Sequence, residues 1–187
     1  NGLYKTDKDG SHAKFLYRKK ASTPIVFVSK YENIIMFCSE KDFISYDIIS
    51  NKINTSFSLP SPILSAINLN GKNYLLTANE LYAETEKKFS KIADFNDAHT
   101  LLSLNDKQLI IATNFGLYSY NLETKEKQII INGVEFNRRA LYLEKNVLYA
   151  GSINGLYKID VNKIQLLINN NKTKPQINSL NKNWIIL

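Results

Sequence analysis

A repeat of about 40 residues constrains this chain of 187 residues more than any other feature of its sequence. The repeat is clearest at one anchor residue directly before the aromatic-containing part of each unit. In Gly-Leu-Tyr, this anchor is the glycine. These anchor residues are Gly2, Asp42, Glu80, Gly116 and Gly155, which are 40, 38, 36 and 39 residues apart. A period of this length predicts an array of similar supersecondary units.

Each unit contains four short apolar segments that are separated by polar turns. In the clearest copy the segments cover residues 139–144, 147–151, 155–160 and 164–168. Ile, Leu, Tyr and Phe dominate these segments, and Asn, Gly, Asp and Lys fill the turns, which is typical of paired β-strands. Helical repeats of similar length would need about ten residues of i, i+3, i+4 periodicity in every helix, and no unit has them.

The units therefore predict an all-β fold, a β-propeller of four-stranded antiparallel blades in one domain over residues 1–187. Whole blades are expected at about residues 21–58, 59–94, 95–132 and 133–170. Residues 171–187 resemble the first two strands of a blade, and residues 1–20 resemble the last two. We expect these ends to join in a fifth blade, because closure would cover both exposed sheet edges. The alternative is that the chain is part of a larger propeller of roughly six to eight blades.

Two segments share a more specific pattern. Residues 109–121 and 147–160 each contain an apolar strand, small residues, and Gly-Leu-Tyr followed by a strand that ends in Asn or Asp. This pattern resembles the two-component regulator propeller repeats of bacterial hybrid histidine kinases and related regulators. The resemblance implies a sensing or scaffolding domain in the periplasm or outside the cell, attached to other modules.

The residue content argues against several kinds of chemistry. One cysteine, Cys38, and two histidines cannot form an internal disulfide or a Cys/His zinc cluster. No phosphate-binding loop, nucleophile elbow or His-Glu-x-x-His motif occurs. The expected first strands contain one carboxylate, Glu144 at a turn, whereas a glycoside hydrolase needs two near the axis. We therefore predict no catalytic residues, no metal and no cofactor, and a glycan hydrolase is the weakest alternative.

The charge of the chain does not identify a partner. The 24 Lys and Arg residues exceed the 17 Asp and Glu residues, which gives a net charge of +7. The basic residues are not interleaved with aromatic residues along one expected surface, so nucleic-acid binding is not predicted. No apolar run approaches the roughly 20 residues that span a bilayer, so we predict no membrane span in this segment.

The candidate ligand site lies at one mouth of the expected ring. Loops from each fourth strand to the next first strand should meet there with loops from second to third strands. The residues expected to contact a ligand are Phe95, Asn96, His99, Asn114, Phe115, Phe136, Arg138 and Asn154. Their aromatic faces and amide groups suit a sugar, another small molecule or a peptide. The alternative is that the phenylalanines only fill space between blades and that His99 is a structural residue.

These expectations define a non-catalytic sensor or ligand-binding domain of a bacterial regulatory or cell-surface protein. A small molecule, a glycan or a protein would bind at the mouth. The alternative is a pure scaffold that docks a neighbouring domain or protein. Cys38 is expected to be a buried, inert thiol, because it alternates with Met36 in an apolar strand.

Overall fold

Short apolar runs bounded by Asn, Gly, Asp and Lys turns form paired strands in this chain, as the repeat predicts. The computed structural model describes residues 2–18, 25, 27–86, 88–170 and 185–186. Over these residues the chain forms four antiparallel sheets of four strands, arranged as the blades of a β-propeller, and a separate two-stranded hairpin. The predicted all-β propeller fold is therefore confirmed with four blades.

The strands of each blade follow one another in chain order. The hairpin consists of β1 (Gly2–Lys5) and β2 (Lys14–Arg18). Blade 1 consists of β3 (Phe27–Tyr31), β4 (Ile34–Ser39), β5 (Asp42–Asp47) and β6 (Lys52–Ser58). Blade 2 consists of β7 (Ser65–Leu69), β8 (Lys72–Leu76), β9 (Glu80–Thr85) and β10 (Lys88–Asp94). Blade 3 consists of β11 (Ala98–Asn105), β12 (Gln108–Thr113), β13 (Gly116–Asn121) and β14 (Lys127–Asn132). Blade 4 consists of β15 (Phe136–Glu144), β16 (Val147–Ser152), β17 (Gly155–Asp160) and β18 (Ile185–Ile186).

The first strand of each blade is the innermost. Strand β11 contacts both β7 and β15, and β3 contacts β7, so neighbouring blades meet through these strands. The first strands therefore surround the axis of the propeller, as expected.

The outer edge of blade 4 differs from the prediction. Residues 164–168 lie in a helix, α1 (Val161–Asn170), instead of forming the fourth strand. The carboxylate of Asp160 accepts a hydrogen bond from the backbone N–H of Asn162 at 2.8 Å, which caps the start of this helix. Val161 and Ile164 are buried on one side of its first turn. The predicted strand at 164–168 is therefore wrong.

A fifth blade is not confirmed. Strands β1 and β2 pair with each other, and β18 pairs with β17 in blade 4. Residues 171–184, which contain most of the expected C-terminal half blade, lie outside the described residues. The hairpin packs against blade 1, where Leu3 joins an apolar cluster with Phe37 and the ring centroids of Tyr17 and Phe37 are 5.0 Å apart.

The apolar cores lie between the faces of adjacent blades. Leu109 and Ile111 of β12 face blade 2, while Ile110 and Ala112 of the same strand face blade 4. Since β12 is buried on both faces, it reads as a continuous apolar run. The Cys38 thiol is fully buried between blades 1 and 2, and burial raises its pKa to about 12. The expected burial of Cys38 is therefore confirmed.

One glycine permits a close contact between adjacent strands. Gly116 is the first residue of β13, and a Cβ atom there would lie 2.3 Å from the carbonyl oxygen of Ile131 in β14. Any larger residue must therefore push the two strands apart at the edge of blade 3.

We expect Gly116→Ala to lower the free energy of unfolding by roughly 2 to 3 kcal/mol, because the backbone carbonyl cannot move aside freely. Gly71→Ala is the matched control: its Cβ would meet no atom within 4 Å, although its φ is +77°. That control should cost about 1 kcal/mol. Urea unfolding of the two variants and the parent measures the difference, and equal losses would contradict the proposed clash.

Candidate functional site

The two sets of loops expected at the mouth do meet. The backbone N–H of Phe95, in a loop between blades, donates to the carbonyl of Asn79 at 2.7 Å. One blade further on, the N–H of Gly133 donates to the carbonyl of Phe115 at 2.8 Å. Both bonds join a loop between blades to a loop between second and third strands. The mouth is therefore a surface tied together by backbone hydrogen bonds.

The expected ligand-contacting residues divide by burial. The exposed side chains are Asn96, Asn114, Phe115, Arg138 and Asn154. Phe115 is the largest apolar group of this set and is 50% exposed. These five residues are available to a ligand at the mouth, and their contact with one stays a prediction.

Two phenylalanines of the set contribute to packing. Phe136 is only 2% exposed and lies against Tyr157 in the core between blades 3 and 4, with ring centroids 5.6 Å apart. Phe95 is half-buried, packs edge-on against Tyr118 at 6.1 Å and lies 5.1 Å from the ammonium of Lys127. The alternative in which phenylalanines fill space between blades therefore describes Phe136, whose ring does not line the mouth.

His99 is the buried polar residue of the set, and only 3% of it is exposed. Its Nδ1 lies 3.0 Å from the hydroxyl of Thr100, which also accepts the backbone N–H of Arg139 at 2.8 Å. Its Nε2 has no hydrogen-bond partner among the described residues. Because the Thr100 hydroxyl accepts from Arg139, it can donate its single proton to Nδ1 of His99. Nδ1 is then an acceptor, and the one ring proton of the neutral histidine lies on Nε2.

Burial lowers the pKa of His99 below its ordinary value, and the positive charge of Arg138 lowers this pKa further. The carbonyl groups of Thr113 and Phe136 and the carboxylate of Glu135 oppose the shift without reversing it. Neither carbonyl has hydrogen-bond geometry with Nε2, so both act on the ring only as nearby dipoles. The ring is therefore neutral at pH 7, and positive charge at this part of the mouth comes from arginine.

Side-chain hydroxyls connect the inner strands of adjacent blades. Besides the bond from Arg139 to Thr100, the N–H of Leu101 in β11 donates to the hydroxyl of Ser65 in β7 at 3.2 Å. Ser65 pairs with Leu76, and Thr100 pairs with Ala112, so the two hydroxyls occupy equivalent positions in blades 2 and 3. One hydroxyl thereby ties β7 to β11, and another ties β11 to β15.

Arg139 has an unusual backbone conformation at this junction. Its φ is +60°, and the pairing of β15 with β16 shifts register between Phe136 and Leu141. A non-glycine residue in the left-handed region persists only where its surroundings hold it, and such positions concentrate at functional sites. The hydrogen bond to Thr100 is one interaction that holds it.

A cavity of about 470 Å³ lies among the four inner strands. It is lined by Phe27 and Val28 of β3, Ser65 of β7, Thr100 and Leu101 of β11, Arg139 and Leu141 of β15, and Ile25. Five of these side chains are apolar, two bear hydroxyls, and one is a guanidinium. A volume of this size suits a small molecule. We call this space the axial cavity.

The sequence prediction chose the mouth loops and missed the axial cavity. Of the predicted residues, only His99 and Arg138 lie directly beside lining residues, namely Thr100 and Arg139. A sequence signal did exist, because Ser65 and Thr100 are hydroxyl residues at matching positions of otherwise apolar inner strands.

Comparisons with known proteins agree on the fold. No family model matches the chain, and no curated protein matches it in sequence. The extracellular domain of the hybrid two-component system BT4673 from B. thetaiotaomicron is 21% identical and superposes with a TM-score of 0.66. This match covers 98% of the chain but 27% of the BT4673 structure.

Two further solved structures extend the comparison. BamB from Moraxella catarrhalis is 14% identical, with a TM-score of 0.62 over 82% of this chain and 54% of BamB. The computationally designed protein Ika4 is 9% identical, with a TM-score of 0.64 over 79% of this chain and 98% of Ika4. The chain is thus similar in fold to natural and designed β-propellers, and it spans about half of BamB. Within its described portion, no helix has the length and apolarity needed to cross a membrane.

We expect Thr100→Val to lower the free energy of unfolding by about 1 to 3 kcal/mol, because the buried groups that bind the hydroxyl would lose their partner. Thr100→Ser keeps the hydroxyl and is the matched control, with a smaller loss expected from the missing methyl group. Chemical unfolding of both variants measures the difference. A valine variant as stable as the serine variant would show that the hydroxyl does not connect the blades.

Proposed function

We propose that this chain is a non-catalytic ligand-binding propeller domain of a bacterial sensory or regulatory protein. A small molecule would bind in the axial cavity and reach it from the mouth. The proposal also allows a glycan or a protein segment to bind at the mouth. The exposed residues that would contact it are Asn96, Asn114, Phe115, Arg138 and Asn154.

The axial cavity is the observation on which the proposal depends. All four inner strands contribute to its lining, so a bound molecule would contact every blade at once. Concave, largely apolar sites with a few polar groups are the usual form of small-molecule sites. Here Ser65, Thr100 and Arg139 supply polar groups, and polar atoms make up about half of the accessible lining.

The similarity to the extracellular domain of BT4673 supports a sensory role outside the cytoplasm. At 21% identity this similarity concerns the fold alone. A periplasmic or extracellular location, and attachment to signalling modules, are therefore parts of the proposal.

The chemistry of the lining favours binding over hydrolysis. Among the described residues that line the axial cavity, none is an aspartate or glutamate. Glycoside hydrolysis usually requires two carboxyl groups on opposite sides of the bond that is cleaved. Glu144 lies at the turn end of β15, opposite Val147, as expected from the sequence.

A scaffold is the second candidate, and one observation favours it. The face of blade 4 that points away from blade 3 is exposed, with Tyr142 at 62% and Leu156 at 37% exposure. Tyr142 and Tyr149 lie beside each other on this face, with ring centroids 6.4 Å apart. Exposed apolar faces of this kind commonly dock another protein surface.

We expect a thermal-shift screen against neutral sugars, oligosaccharides, peptides and organic acids to find saturable stabilisation. At about ten times Kd, a ligand should raise the melting temperature by roughly 3 to 6 °C. Leu141→Trp should abolish the shift by filling the axial cavity. Leu166→Trp, on the exposed side of α1, is the matched control and should leave the shift unchanged.

A shift that persists in Leu141→Trp and disappears in Phe115→Ala would place the ligand at the mouth loops alone. No saturable shift, together with concentration-dependent association that Tyr142→Ser removes, would support the scaffold and contradict the sensor.

A further inference from the structure

We propose that the contact between β11 and β15 at the mouth is a pH-sensitive junction, which opens in mild acid when the ring of His99 takes up a proton. The junction consists of His99 and Thr100 in β11 and of Arg138 and Arg139 in β15. This inference goes beyond the proposed function, because the junction would respond to pH with or without a ligand.

His99 is the extra residue of a bulge in β11. Ala98 pairs with Thr113 and Thr100 pairs with Ala112, so the ladder to β12 passes over His99. A bulge re-aims a side chain and increases the local twist of its strand. The ring of His99 is thereby buried near β15 instead of following the regular alternation of β11.

Strand β15 is also bulged where it meets this ring. Residues 137–140 all lie opposite Gly151, so the stretch carries three extra residues. The ladder is disrupted at such a bulge, and fewer backbone bonds hold the strand in place. The 2.8 Å bond from the backbone N–H of Arg139 to the hydroxyl of Thr100 therefore fastens the bulged part of β15 to β11.

The proton would bind at Nδ1 of His99. In the neutral ring Nε2 carries the proton, and Nδ1 accepts the proton of the Thr100 hydroxyl at 3.0 Å. A protonated imidazole has an N–H at both nitrogens, so the hydroxyl can no longer donate to the ring. Thr100 would then have to direct its proton elsewhere while it accepts from Arg139. Protonation therefore disrupts the chain of hydrogen bonds that crosses the junction.

A charged ring is unfavourable at this position. Only 3% of His99 is exposed, and its Nε2 has no hydrogen-bond partner among the described residues. Burial of a charge without such partners costs free energy, which the ring can recover in water. Because the ring reaches water only when β15 moves away from β11, protonation favours the open junction.

The charged groups around the ring do not remove this cost. Burial is the main cause of the lowered pKa of His99, and Arg138 lowers this pKa further while Glu135 opposes the shift. Strands β11 and β12 contain no charged residue. Asp97 and Arg139 are the other charged residues close in sequence to the junction. Burial and Arg138 thus act in the same direction.

The pH dependence follows from this lowered pKa. Above about pH 6.5, the ordinary pKa of histidine, the ring is neutral in both the closed and the open junction, so pH has no effect. As the pH falls below this value, the exposed ring of the open junction binds a proton before the buried ring does, and the closed junction loses stability. The loss stops growing below the lowered pKa of the closed state. Thr100 and Arg139 also line the axial cavity, so opening would alter the cavity wall.

Amide hydrogen exchange at pH 7 and pH 5 tests the junction, with each rate compared with that of an unstructured peptide at the same pH. We expect the protection of the Arg139 amide to fall roughly tenfold, and at most about thirtyfold, because an open ring with an ordinary pKa is mostly protonated at pH 5. The Leu101 amide is bound by Ser65 of blade 2 and should keep its protection.

Two pairs of variants identify the responsible groups. His99→Gln should remove the pH dependence at Arg139, and each variant is compared with itself at the two pH values, so its overall stability does not enter. His12→Asn is the matched control, since it removes an exposed histidine of the hairpin turn and should keep the pH dependence. Arg138→Gln should weaken the pH dependence, whereas Lys158→Gln removes an exposed cation of β17 and should leave it unchanged.

Unchanged protection of Arg139 at pH 5, or a fall that persists in His99→Gln, would overturn this proposal. Equal losses at Leu101 and Arg139 would also overturn it, because acid would then weaken the whole chain. If His99→Gln does not fold, a nuclear magnetic resonance titration of the parent decides. The ring signals of His99 should titrate below about pH 6.5 and at a higher pH in Arg138→Gln, and titration of the parent at or above that value contradicts the junction.

Discussion

The hydrogen bonds that cross from one inner strand to the next determine how this propeller is built around its axis. Backbone N–H groups on an inner strand must find partners, because an unpaired buried N–H costs free energy comparable to a lost hydrogen bond. Within blades the ladders satisfy most of them. At Leu101 and Arg139 the partner is a hydroxyl of the preceding blade, Ser65 or Thr100. These two bonds fix the spacing of blades 2, 3 and 4 at the axis, where the apolar cores between blades end.

The same bonds explain why a cavity lies beside them. Short hydroxyl side chains fill little volume, so the inner strands stay close at the backbone but leave space between their side chains. At the equivalent position of blade 1 the residue is Phe27, which instead contributes apolar surface to the cavity wall. Arg139 completes the wall in a conformation that its neighbour Thr100 helps to hold. The structural connection between blades and the candidate ligand site therefore share residues.

The repeat allowed the strands to be predicted from the sequence. The predictions that failed did so for physical reasons. Strand β17 was predicted at residues 155–160 with the observed bounds, because an alternating run between two polar turns has few alternatives. Residues 164–168 were misread because a five-residue apolar run fits a strand as well as a helix, and the Asp160 cap decides between them. Phe136 was expected at the mouth because it was assigned to the loop before a strand at 139–144, but it begins β15, and its burial depends on packing against Tyr157. The axial cavity could not be predicted from any single segment of the sequence. Its walls come from four strands, and each lies about one repeat from the next along the chain.

The central claim is that hydroxyl groups of one blade bind the inner backbone of the next. Amide hydrogen exchange of the folded chain tests it at single residues, since a bonded buried amide exchanges only when the local structure opens. We expect the amides of Leu101 and Arg139 to exchange at least about a hundredfold more slowly than in an unstructured peptide. Thr100→Val should accelerate exchange at Arg139 while leaving Leu101 protected. Exchange at Arg139 that is already as fast as in an unstructured peptide, or that is unchanged by Thr100→Val, would contradict the account.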